Sequence, residues 1–126
     1  MNISKMVLEA YTNAKKKGFH DKPDALGTKI ALIHSEVSEA LEAHRSGRVM
    51  KDDMKAPLLK YAYGEQHAMS DNTFELVIKN TFEDELADTV IRIADLCGAM
   101  GINLEAHIMA KMRYNKGRPR LHGKRY

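Results

Sequence analysis

The sequence predicts an all-α protein, an antiparallel four-helix-bundle-like domain spanning residues 1–126. Three observations carry that expectation. Apolar residues recur at helical spacing in four separate segments. The chain has only three prolines and few β-branched runs. Gly or a Gly-containing cluster closes the periodic segments where a helix would stop.

The first helix is expected over 3–17, "ISKMVLEAYTNAKKK", with apolar residues at 3, 6, 7, 10, 11 and 14 and Gly18 as its stop. The connector "FHDKPDALG" follows. Pro23 suits a helix's first turn, and Asp21 or Asp24 offers a capping carboxylate. The second helix should run over 24–46 and end at "SGR". An extended connector covers 48–73. Within it, "APLLKYAYG" reads as a short helix opened by Pro57 and closed by Gly64, and "EQHAMSDNT" as a polar loop. The third helix is expected over 75–99, ending at "GAMG". The fourth, over 103–115, starts after Asn103 with Glu105 in its first turn, where the macrodipole favours an acid. Four helices with mostly short connections suggest a bundle.

At 126 residues and 44% hydrophobic content, the chain suits one domain with its own core. That core should be aliphatic and methionine-rich, because Met occurs eight times and Trp not at all. A single cysteine, Cys97, forms no internal disulfide and fits a reducing, cytoplasmic setting. There is no leader-like segment and no apolar run long enough to span a membrane. The net charge of +3 hides an asymmetry. Residues 111–126 hold seven cations and no acid, which leaves the first 110 residues at −4. A basic tail from about residue 116 is expected to be solvated; nucleic-acid binding through it is the weaker expectation.

The acids are placed by the helical wheel. At roughly 100° per residue, Leu26, Ile33, Val37, Ala40 and Leu41 fall within about 80° of Ile30 and form the expected core stripe of the second helix. Glu42 falls on the polar face. Glu36 and Glu39 interrupt a flank that is otherwise apolar. On the third helix, Phe82, Leu86, Val90, Ile93, Cys97 and Met100 form the stripe, with Glu85 and Asp88 one turn apart on its shoulder. Two antiparallel helices with such pairs would bring four carboxylates together. These repel, so some take up protons or a cation neutralises them. Hard oxygen donors suit Mg²⁺ or Mn²⁺. The alternative is structural: Arg92 pairing with Asp88 and Asp95 at i−4 and i+3.

In "LIHSEVSEALEAHRSG" (32–47), "FEDELADTVIRIADLCGAMGINLEAHI" (82–108) and "KMRYNKGRP" (111–119), in that order, the sequence resembles the MazG-like all-α nucleoside triphosphate pyrophosphohydrolases. "NAKKKGF" (13–19) is similar to that family's first-helix ending. Together the stretches cover about half the chain. The resemblance implies Mg²⁺ held by Glu36, Glu39, Glu85 and Asp88, and cleavage between the α- and β-phosphates to a nucleoside monophosphate and pyrophosphate. It implies catalytic roles for Glu36 and Glu39, with Glu39 favoured as the base that activates water. Lys111 and Asn115 match phosphate-binding positions, and Arg118 is a further phosphate ligand. Asn13 and Phe19 match part of the nucleoside pocket. The sequence departs from the pattern at Ser35, where many members carry a further Glu, and in the longer gap between Glu39 and Glu85.

The remaining polar residues read as ordinary. His34 sits at the core border as a hydrogen-bonded structural residue, and Cys97 as packing. A di-iron bundle needs Glu-x-x-His, which both acidic sites lack. A non-catalytic nucleic-acid- or protein-binding module using the basic tail is the alternative to the hydrolase. A short four-helix chain has a modest core and a shallow cleft, so a homo-oligomer, dimer or tetramer, is expected.

Overall fold

The computed structural model describes residues 2–125. Among them the chain forms six α-helices, two short 3-10 turns and no β-strand. The helices are α1 (Ile3–Lys16), α2 (Leu26–Arg45), α3 (Lys55–Ala62), α4 (Asp71–Val77), α5 (Phe82–Met100) and α6 (Leu104–Lys116). The all-helical expectation is met. None of the helices is long and apolar enough to cross a membrane.

Contacts divide the chain into two compact units. One comprises residues 1–23 and 93–126, the other residues 24–92, so the boundary falls within α5. In the first unit, Asn2 caps α1 by accepting the Lys5 N–H at 2.8 Å, and Asn103 caps α6 by accepting the Ala106 N–H at 3.0 Å. Glu105, in the first turn of α6, also serves α1. It accepts the Ile3 N–H at 3.2 Å and the Ser4 hydroxyl at 2.8 Å, placing a carboxylate at that helix's positive end. Gly98 lets α1 lie close against α5, because a Cβ there would sit 2.5 Å from the Tyr11 Cβ. His20 Nε2 lies 2.7 Å from Asp95 Oδ1, with its ring edge-on to Tyr11. The connector after α1 is thereby tied back onto α5.

In the second unit, α2 begins two residues later than expected, with Ala25 at its N-cap and no side-chain cap bond. Neither Asp21 nor Asp24 caps it. The short helix in the connector forms as α3, starting two residues before Pro57 and stopping at Gly64 (φ 70°). The segment expected as one helix over 75–99 is instead two. α4 already starts at Asp71, capped by Ser70, and α5 starts at Phe82. The break has a local cause: Asn80 takes a left-handed φ of 64°, and Thr81 caps α5. The Thr81 Oγ1 accepts the Asp84 N–H at 3.3 Å, while the Asn80 N–H donates to Asp84 Oδ2 at 3.0 Å. Asp84 thus reaches back past the Thr81 cap to Asn80, so the two bonds fix the break without forming a true capping box.

The expected core stripe of α2 is not its buried face. Leu26, Ile30, Val37 and Leu41 are between 42% and 53% exposed, and Ala40 alone of that stripe is buried. The helix instead turns Glu36, Ala40 and Ala43 inward. On α5, Leu86, Val90 and Met100 are likewise exposed, whereas Cys97 is buried. Small side chains explain the roll. Ala40 and Ala43 permit close backbone approach, and the shoulder acid Glu36 finds a cation there.

Candidate metal centre

The acids come together within the second unit. Glu36 lies in the middle of α2, Glu39 one turn on, and Glu85 in the first turn of α5. One carboxylate oxygen from each lies within 4.8 Å of the others. Glu36 and Glu85 are only 7% and 6% exposed, while Glu39 is exposed. α2 and α5 are brought side by side here by three contacts. The Arg92 Nε donates to Glu36 Oε1, the His44 and Phe82 rings meet edge-to-face at 5.3 Å, and the Phe82 N–H donates to the Arg48 carbonyl at 2.8 Å.

The electrostatics are those of a site short of positive charge. Burial, and then the charges of Glu39, Glu36, Asp88 and Asp84, push the Glu85 pKa up to about 7. A hydrogen bond with Glu36, followed by that residue's charge, raises Glu39. Asp88 is raised as well, by burial, Asp84 and Glu36. Arg92 opposes these shifts at Glu39 and Asp88 but supplies one charge against four carboxyls. It pairs with Glu36 and not with the expected Asp88 and Asp95; His20 holds Asp95. No backbone donor or cationic side chain among the described residues reaches the Glu85 carboxyl.

No family model, curated protein or solved structure matches the chain.

Three hard carboxyl donors in mutual reach, two of them buried, fit a small divalent cation such as Mg²⁺ or Mn²⁺. Asp88, expected as a fourth ligand, stands outside the group of three and is exposed at the edge of the cluster. Ser35 donates its hydroxyl to the Leu32 carbonyl at 2.6 Å and stays on its own helix.

The other five expected residues belong to the first unit. Asn13 is exposed on α1, and Phe19 is 71% exposed in the connector. Lys111 Nζ, on α6, and the Arg118 guanidinium, just past its C-terminal end, lie 5.2 Å and 5.6 Å from the Tyr114 ring centroid. Arg118 also donates to the His122 carbonyl at 3.2 Å. The Asn115 Oδ1 is buried and has no hydrogen-bond partner. Arg48 and Asn80 were missed. They line an open pocket of about 340 Å³ together with Glu39, Glu42 and Glu85. The signal for Arg48 was available in "SGR": a Gly that stops a helix fixes the residue after it.

Proposed function

We propose that the chain is a Mg²⁺-dependent nucleoside triphosphate pyrophosphohydrolase, cleaving the α–β phosphoanhydride to a monophosphate and pyrophosphate. The observation that carries this reading is Glu85. A nearly buried carboxyl with no cationic partner, in a group of three acids, calls for a divalent ion. The ordered resemblance at 32–47, 82–108 and 111–119 supplies the reaction class.

Glu36, Glu39 and Glu85, with Asp88 at the edge, would hold the ion, and Mn²⁺ is an acceptable substitute. When bound, the ion supplies positive charge to the phosphates and acidifies water. Glu39 is the exposed member of the group and accepts the proton from the attacking water. The water oxygen bonds to phosphorus, the α–β P–O bond breaks, and pyrophosphate leaves with the electron pair. Arg92 holds Glu36 in place through its guanidinium. The phosphate-binding roles of Lys111, Asn115 and Arg118, and the nucleoside contacts of Asn13 and Phe19, rest on the motif match. The buried, unpartnered Asn115 Oδ1 is compatible with a ligand contact there.

The same reading describes an antiparallel four-helix-bundle-like fold, a homo-oligomer and a cytosolic enzyme. The exposed apolar stripe Leu26, Ile30, Val37 and Leu41 supports self-association, because its spacing is that of a helix-packing seam. The test is a panel of ribo- and deoxynucleoside triphosphates with Mg²⁺, the products identified as monophosphate plus pyrophosphate. Glu36→Gln and Asp88→Asn should abolish turnover with helix content unchanged. Full activity in either variant, or salt-sensitive nucleic-acid binding with no turnover, would refute the reading.

A further inference from the structure

Arg48 is held by its backbone at both ends. α2 closes in a Schellman motif: Gly47 (φ 71°) donates to the His44 carbonyl at 3.1 Å, and the Arg48 N–H to the Ala43 carbonyl at 2.8 Å. The Arg48 carbonyl then accepts the N–H of Phe82, the first residue of α5, at 2.8 Å. The residue therefore bridges the end of one acid-bearing helix and the start of the other. Its side chain is exposed and lines the 340 Å³ pocket with Glu39, Glu42, Asn80 and Glu85.

A guanidinium beside three carboxyls would ordinarily close onto one of them as a charge-assisted pair. None of the ion pairs among the described residues involves Arg48. Glu85, on the opposite account, is a nearly buried acid in the same pocket without a cationic partner. A pocket lined by a cation and by acids that are in no ion pair matches a ligand of alternating charge: a divalent cation and the polyphosphate bound to it. Asn80 adds a neutral amide; its left-handed backbone is fixed by its N–H bond to Asp84.

We infer that Arg48 is a polyphosphate-binding residue, gripping the metal-bound pyrophosphoryl group bidentately in this pocket, with Asn80 as the accessory donor. The inference rests on the proposed function for the presence of the cation. It adds a phosphate contact in the same unit as the acids, at a residue other than Lys111, Asn115 and Arg118.

The test uses the full chain, with Mn²⁺ and pyrophosphate as probes. Mn²⁺ binding is titrated alone, and pyrophosphate binding is then titrated at saturating Mn²⁺. Arg48→Ala should weaken pyrophosphate roughly 10- to 100-fold, the loss of a charge-assisted bidentate contact, and leave Mn²⁺ affinity within a few-fold of the parent. Arg48→Lys keeps the charge and all the backbone bonds, so it folds if the parent does. It should still lose several-fold, because an ammonium lacks the planar fork. Intact Mn²⁺ binding with parental pyrophosphate affinity in both variants overturns the inference and leaves the metal centre standing. A parent that binds Mn²⁺ but no pyrophosphate also overturns it. A parent that binds no Mn²⁺ overturns the metal centre and this inference together.

Discussion

Raising the pH from about 5 to 8 without divalent ions should destabilise the protein through Glu85. Its carboxyl has an ordinary pKa of 4.5 in the unfolded chain and one of about 7 in the fold, where burial is the largest cause and neighbouring acids follow. Between those values the unfolded chain has released the proton and the folded chain keeps it. Stability therefore falls as pH rises. The contribution is complete below 4.5 and gone above about 7. A shift of that size corresponds to at most about 3 kcal/mol, and because the carboxyl opens onto a pocket the screened contribution is on the order of 1–2 kcal/mol. For a chain of this length that is roughly 5 °C in the unfolding midpoint. The assay is thermal unfolding by circular dichroism at pH 5, 6, 7 and 8, for the parent and for Glu85→Gln. The neutral amide has no proton to lose, so the parent should fall away from the variant as pH rises through this window. Asp88 and Glu39, whose charges help to raise Glu85, are present in both proteins, so the difference reads Glu85 together with its coupling to them. Millimolar Mg²⁺ should restore the parent at pH 8 by about 2.7 kcal/mol when present at a hundredfold excess over its Kd, and should leave Glu85→Gln little changed. A parent-minus-variant difference that is flat with pH, or that favours the parent at pH 8 without metal, would refute the reasoning.

Arg92→Met removes the cation from the buried Glu36 and should cost about 1–3 kcal/mol in metal-free buffer, with added Mg²⁺ recovering most of it; urea unfolding at both conditions measures this. Gly98→Ala places a methyl against Tyr11 and should cost about 1–3 kcal/mol by the same measurement, with no effect on Mn²⁺ affinity. Thr81→Ala removes the cap of α5 and should cost about 1 kcal/mol. Val37→Asp, on the exposed stripe of α2, should lower the mass seen in light scattering to that of the single chain and leave its helix content intact.

The helical class and four helix positions were legible because apolar periodicity and Gly stops agree along the chain, with Asn103 marking the start of α6. The cluster of Glu36, Glu39 and Glu85 was legible for a different reason. Acids on an apolar flank stand out against the wheel, and the i,i+3 spacing on one helix together with the facing residue of the next allows few other outcomes. The roll of α2 was not legible. Its large apolar residues favour the face that stays exposed, and the choice turns on the size of Ala40 and Ala43 and on the Glu36–Arg92 pair, which is a tertiary contact. The split of α4 from α5 was signalled by the turn-favouring Asn80 and the capping Thr81, but the apolar periodicity continues across them. Arg48 and His20 lie outside the helices. Their roles come from contacts with residues distant in sequence, Phe82 and Asp95, which no local spacing reveals.

Of all these measurements, the titration of Mn²⁺ into the parent chain and into Glu85→Gln, followed by electron paramagnetic resonance, bears most directly on the acidic cluster. The account predicts a saturable signal from bound ion in the parent that weakens at least tenfold in the variant, both proteins remaining helical. Equal Mn²⁺ affinity in the two proteins, or none in the parent, would contradict it.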